Sequence, residues 1–232
     1  MRPTVLLVAL AALSLSACSP ESDKSAENKK DAAGPIQPVA TPAPSGSYKL
    51  DKAHASLIFR VSHMGFSNYT ARFKRFDAKL DLDTARPANS KLEVVVDATS
   101  LETDFPDPKV VDFNAQLQNE QWLGTAKFPE MTYRSTAIGM TSPNTALVTG
   151  DLTLHGVTKP VILTATFNGG YPGMELDPNA RIGFSAKATL KRSEFGIAAG
   201  IPPPGTNMGV SDDVEIIVEA EFSGPAWTKP AP

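Results

Sequence analysis

Side chains able to do chemistry are scarce in these 232 residues: three histidines, His54, His63 and His155, and one cysteine, Cys18. On one unbroken strand the odd separation of His54 and His63 would put them on opposite faces. Neither is read as having a carboxylate or cysteine at ligand spacing, so no metal site is expected. A serine hydrolase would need a nucleophile beside a base, yet the chain has no Gly-x-Ser-x-Gly elbow and its serines are scattered. No catalytic residue is assigned, and the chain is expected not to be an enzyme.

Binding asks for less: an apolar concavity and a few polar groups at its mouth. His63 falls on the same strand face as Leu57, Phe59 and Val61. From there it could hydrogen-bond a quinone carbonyl or an isoprenoid headgroup, or sit buried and bonded to backbone. His155 ends a strand beside Gly156, where fixing the turn into 157–160 is the plainer task. Phe113 and Trp122 either close a barrel end over a chain tip or pack as helix core. Arg192 and Glu194 are read as a pair on the surface or across a subunit contact, which keeps a homodimer open.

Cys18 belongs to a different chemistry. Arg2 precedes an apolar run from Val5 to Leu13, then Leu15-Ser16-Ala17-Cys18, the order of a secretory signal with small residues at the cut. That run is shorter than the roughly 20 apolar residues a spanning helix needs. The tetrapeptide resembles a bacterial lipobox, which implies cleavage after residue 17 and acylation of the Cys18 sulfur. Several acyl chains, at about 0.8 kcal/mol per buried methylene, anchor durably. Ser19 in the next position resembles lipoproteins sent to an outer membrane. The expected location is therefore the periplasm, membrane-anchored, with residues 1–17 removed.

The elements that must position these groups follow from periodicity. Residues 18–47 hold the cysteine and then a Pro-, Ala- and Ser-rich stretch read as a tether, reaching on the order of 30 Å if flexible. Residues 48–225 fit one domain and 226–232 a tail. The net charge of −3, from 22 basic and 25 acidic residues, comes without a basic cluster, so nucleic acid is not expected as a partner. Apolar and polar residues alternate over 56–63, 71–83, 91–99, 131–140, 145–155, 161–167, 181–191 and 213–222. About eight antiparallel strands with one apolar face each can stack as a sandwich or close as a barrel. Residues 109–123 break the rhythm, with Val110, Phe113, Leu117 and Trp122 approximating a helical stripe. Long connections are expected at 169–180 and at 197–209, which holds Pro202-Pro203-Pro204.

Tyr48-Lys49-Leu50-Asp51, Phe59 to Gly65, Lys127 to Met131, Gly150 to Val161, Lys191 to Gly196 and Val210 to Ile216 together resemble the YceI-like family of periplasmic lipid-binding proteins. The segment Leu152-Thr153-Leu154-His155-Gly156-Val157-Thr158-Lys159-Pro160 is the most specific. The resemblance implies an all-β, eight-stranded antiparallel lipocalin-like barrel with one helix, holding a long amphiphile: a polyisoprenoid, an isoprenoid quinone or a fatty acid derivative. No cofactor is required beyond such a lipid or quinone. The candidate ligand set is Leu57, Phe59, Val61, His63, Phe73, Phe113, Trp122 and His155. The chain departs from the family pattern at Ala71-Arg72-Phe73, at Phe113-Asn114 and Gln116-Leu117, and in the prolines of 201–205. A side-chain-filled barrel that meets a partner through 197–209, and a hydrolase or quinone-linked redox protein, are the alternatives.

Overall fold

The computed structural model describes residues 36–228. The signal and Cys18 lie outside them, as do the first part of the tether and residues 229–232. The strands are β1 (Gly46–His63), β2 (Ser67–Phe73), β3 (Phe76–Leu82), β4 (Lys91–Asp97), β5 (Leu101–Glu102), β6 (Glu130–Ser142), β7 (Thr145–Leu154), β8 (Val157–Tyr171), β9 (Asn179–Lys191) and β10 (Val210–Ala226). All pairings are antiparallel. The order β1-β10-β9-β8-β7-β6-β4-β3 returns to β1, because β1 pairs with both β10 and β3. The result is a closed eight-stranded barrel, which leaves no unpaired edge.

Ten segments make eight staves because two staves are bent: β2 and β3 form one, and β4 and β5, which pair with β3 and β2, form the next. β2 pairs with the second half of β1 and β3 with its first residues. The bend at Lys74-Arg75 costs two ladder bonds, which Ser100 restores: its carbonyl accepts from Lys74 N and its hydroxyl from Arg75 N. Ser100 is fully buried for that reason.

The alternating apolar residues face inward throughout. A bulge between Leu50 and Ala55 in β1 shifts the parity, so Leu50 and Leu57 both point into the barrel. The same break throws His54 outward, and His63 stays on the inner face. Beginnings of β1, β4, β7 and β9 define one end of the barrel, called here the tether end. The opposite end carries the β1–β2 turn, α1 (Phe113–Gln118) and the 196–209 loop, and is called the helix end.

Three expectations change. The helix expected over 109–123 spans only Phe113–Gln118. Asp112 caps it by accepting from Ala115 N, and Gly124, with φ of +56°, ends a run of turns through Trp122 that replaces the last helical turns. Val110 is thus off the stripe and exposed. The connection expected at 169–180 shrinks to 172–178, since β8 and β9 run further than their alternation indicated. The tether reading fails from residue 38 onward: Val39 N donates to the Pro143 carbonyl at 2.7 Å, and the Tyr48 hydroxyl donates to Pro44 at 2.7 Å. Ala43 is 2% exposed, set against Gly170 and Ile182. Composition missed this docking because small residues and prolines suffice when a barrel end supplies the apolar surface.

Candidate functional site

Inward-facing chains of all eight staves leave a cavity of about 630 Å³ that runs from the tether end to the helix end. Its middle is lined mainly by apolar side chains, with Thr132 and Tyr133 the exceptions, and the other polar ones gather at the two ends. At the tether end stand Thr41, Thr84, Ser90 and Asn144, with Pro38 and Val39 crossing the opening. At the helix end stand His63, Tyr69 and Arg192, with Phe105, Phe113 and Trp122 around them.

The hollow has a traceable cause. Ala146 of β7 pairs with Ala165 of β8, Ala165 with Ala186 of β9, and Ala186 with Val218 of β10. Three adjacent staves therefore present only methyl groups at one level, and all three alanines line the cavity. Interiors normally close at crystal-like density. A band with nothing longer than a methyl cannot reach the opposite wall, so space remains.

One large polar residue is absorbed without filling that space. Tyr133 of β6 is buried, and its hydroxyl donates to the Val148 carbonyl at 2.8 Å, with Val161 O at 3.3 Å. Burial pushes its phenol well above the ordinary value. The ring packs against Gly150, where an added Cβ would stand 2.6 Å from the Arg134 carbonyl and 2.7 Å from the Tyr133 oxygen.

At the helix end a clamp holds α1 across part of the opening. The Glu102 carboxylate accepts from the Asn114 side-chain amide (3.2 Å), Asp104 N (3.1 Å) and Lys74 Nζ (3.1 Å). These bonds, Asn114 first, hold its carboxyl down at about 2. Asn114 in turn accepts from both the amide and the hydroxyl of Thr103. α1 is pinned so that Phe113 meets Tyr69 edge-on at 5.7 Å and Phe105 at 5.4 Å, over the cavity.

Arg192 corrects an expectation. It makes no pair with Glu194 and is only 4% exposed. Nε donates to the Ser211 carbonyl, Nη1 to Ile197 and Ala199, and Nη2 to Val210, at 2.7 to 3.1 Å. The guanidinium also lies over the Trp122 ring at 5.2 Å. Burial draws its pKa below the usual arginine value. One side chain thus ties both ends of the 197–209 loop to the short 3₁₀ turn at Arg192–Phe195 and holds Trp122 against the cavity.

Of the candidate set, Leu57, Phe59, Val61, His63, Phe73, Phe113 and Trp122 all line the cavity. His63 is exposed at the mouth, and no hydrogen-bond partner holds its imidazole among the described residues. His155 is not in the lining. It takes φ of +52° ahead of Gly156 at +74° in the two-residue β7–β8 turn, the twist such hairpins require. Its Nδ1 donates to the Phe195 carbonyl at 3.1 Å, and its ring meets Phe128 edge-on at 4.8 Å. It joins three segments beneath the barrel, outside the cavity lining. Sequence reading missed Tyr133, Arg192 and the alanine band; the isolated small residues inside otherwise bulky strands were the available signal.

His54 does find acidic company: Asp51 at 3.1 Å and Glu221 at 3.9 Å, with donor atoms of all three within 4.8 Å of one another. The bulge in β1 and the β1–β10 pairing make this group, which spacing along the chain did not show. Arg181 already donates to the same Asp51 oxygen at 2.7 Å. The hydrogen bond to Asp51 raises the His54 pKa, and that bond lowers Asp51. The cluster is an ion-pair network on the outer wall.

A closed eight-stranded barrel around a continuous apolar cavity defines the molecule as a lipocalin-like barrel protein. Residues 48–222 match the YceI-like domain, and the chain belongs to that family. A UPF0312 protein of Pseudomonas syringae pv. syringae is 38% identical over 166 residues, covering 71% of this chain and 83% of its own. One of Pseudomonas putida KT2440 is 35% identical over 176 residues, covering 75% and 86%. Among solved structures, Burkholderia cenocepacia BcnA aligns with a TM-score of 0.62 at 23% identity, over 74% of this chain and 98% of that one. A polyisoprenoid-binding domain from Saccharophagus degradans aligns with a TM-score of 0.54 at 16% identity, over 78% and 100%. At those identities the two structures share the fold.

Proposed function

We propose that the protein binds a long hydrocarbon amphiphile, a polyisoprenoid, isoprenoid quinone or fatty acid derivative, inside the barrel, for transport, sequestration or a stress response and without catalysing a reaction. The observation that carries this reading is the continuous cavity of about 630 Å³ with a mainly apolar middle and polar ends. The volume suits a single small ligand, and removing methylenes from water drives its entry. His63, Tyr69 and the tether-end hydroxyls offer hydrogen bonds to a headgroup at either mouth. The membership in the YceI-like family and the fold shared with a polyisoprenoid-binding domain support the reading. A side-chain-filled barrel is disfavoured by the alanine band.

In the same reading the protein works in the periplasm, held to a membrane, the outer one where present, through acylated Cys18. The order of residues 2–19 supports this. Solvent extraction of the purified native protein followed by lipid mass spectrometry tests the cargo: a stoichiometric amphiphile is expected, and a chain that carries none and takes none up refutes the proposal. Intact mass of the mature chain tests the anchor: a start at Cys18 with acyl mass is expected, and a free thiol or another start refutes it.

A further inference from the structure

We infer that the helix end of the barrel is a membrane-docking tip, in which the β1–β2 turn and the 196–209 loop insert Phe66 and Met208 into a lipid bilayer beside the cavity mouth. The inference rests on the cavity reading above for its purpose, and on separate surface observations for its place. Phe66 is 82% exposed and Met208 64% exposed, neither lining the cavity. Their two loops are joined: Met64 N donates to the Gly209 carbonyl at 2.7 Å, and Gly65 packs on Asn207. Adjacent to both, His63 is exposed and Val210 half-buried, and both line the cavity, so the opening lies at the foot of the tip.

Charge distinguishes these two loops from the rest of that end, where Asp104, Asp107, Lys109 and Asp112 precede α1. Residues 61–71 and 196–211 contain no Lys, Arg, Asp or Glu. The exposed Leu176 at the tether end, by contrast, sits between Glu175 and Asp177, the latter bound to Arg181. A neutral tip with an aromatic and a thioether side chain enters the headgroup region without desolvating a charge. A protein partner fits less well, because two side chains offer roughly 300 Å², well short of the roughly 800 Å² a stable interface takes from each side. A bilayer needs no complementary shape, and it is the reservoir of a water-insoluble cargo. Arg192 supports the geometry, since its four carbonyl bonds hold the 197–209 loop at both ends.

The test uses the full chain with Phe66→Trp or Leu176→Trp, mixed with phosphatidylcholine vesicles carrying brominated acyl chains, against the background of Trp122 and Trp227. Emission from Phe66→Trp should shift to the blue and be quenched, and that from Leu176→Trp should not. Equal quenching of both, or none for Phe66→Trp, overturns the inference. A blue shift that grows with protein concentration in the absence of vesicles assigns the tip to a second copy and also overturns it. Fluorescent fatty acid should pass from vesicles to the Phe66→Ser/Met208→Ser double variant at least tenfold more slowly than to the unsubstituted chain. Uptake of the same probe from detergent micelles should stay within twofold. If no chain takes up probe from either source while Phe66→Trp is quenched, the cavity reading falls and the docking tip stands.

Discussion

Filling the alanine band should divide the cavity in two and make affinity depend on ligand length. Ala186 pairs with Val218, which lies midway along β10 between the lining residues Val214 and Phe222. Eight steps of about 3.3 Å give roughly 26 Å along that strand, or about 20 Å along the axis at a tilt near 40°. An Ala186→Trp side chain at the midpoint therefore withdraws about 10 Å of channel from a long chain. That length houses on the order of eight methylenes, each contributing about 0.8 kcal/mol on burial. Half of the resulting ~6 kcal/mol, allowing for a displaced chain that folds back or stays partly covered, still weakens binding about 100-fold. A chain short enough for half the channel loses little. The assay is calorimetric titration with saturated fatty acids of eight, twelve and sixteen carbons, alongside thermal unfolding to confirm that the barrel persists. The hollow accepts the added ring, so the melting temperature should not fall. Equal affinity of variant and unsubstituted chain for the sixteen-carbon acid would refute the cavity as the binding place, as would equal losses for all three lengths.

Other outcomes follow from the clamp, the wall and the buried arginine. Glu102 is held at about 2 against an ordinary 4.5, so its contribution is complete above that ordinary value and is lost as the pH falls toward 2. The Asn114 side-chain amide resonance should move across that window and stay still in Glu102→Gln; a midpoint near 4.5 in the unsubstituted chain contradicts the clamp. Gly150→Ala drives a methyl against Tyr133 and the Arg134 carbonyl and should cost about 1–3 kcal/mol in denaturant unfolding; a neutral result would show that the Tyr133 ring is free to move. Arg192→Met leaves four carbonyls without their donor, at about 1 kcal/mol each or roughly 4 kcal/mol in all. Its thermal midpoint should fall and Trp122 emission should shift to the red; unchanged values would mean the 197–209 loop is held by other contacts.

The inward face of nearly every stave was legible from the chain, because a half-buried strand must alternate with period two and inner and outer residues differ in polarity. Leu57, Phe59, Val61 and His63 share a face by spacing alone, and the barrel puts that face inside. The ends of helices and loops were less legible. Val110 fits a helical stripe by position, yet Asp112 starts the helix after it, and no periodicity encodes a cap. Arg192 beside Glu194 reads as a surface pair, whereas the guanidinium turns inward toward carbonyls up to nineteen residues away.

By itself, then, the chain determined which side chains avoid water and that they do so on strands. Whether those side chains interlock or leave a channel was decided by register. Ala146, Ala165 and Ala186 are far apart along the chain and unremarked within their own strands; pairing sets them in one row, and methyl groups in a row cannot span a barrel. His155 shows the converse, since its sequence neighbourhood is the most family-like in the chain and only the folded turn reveals that it faces Phe195 and not the cavity. Local alternation is a property of each strand, but a hollow is a property of eight strands at one height, and only closure of the sheet brings them there.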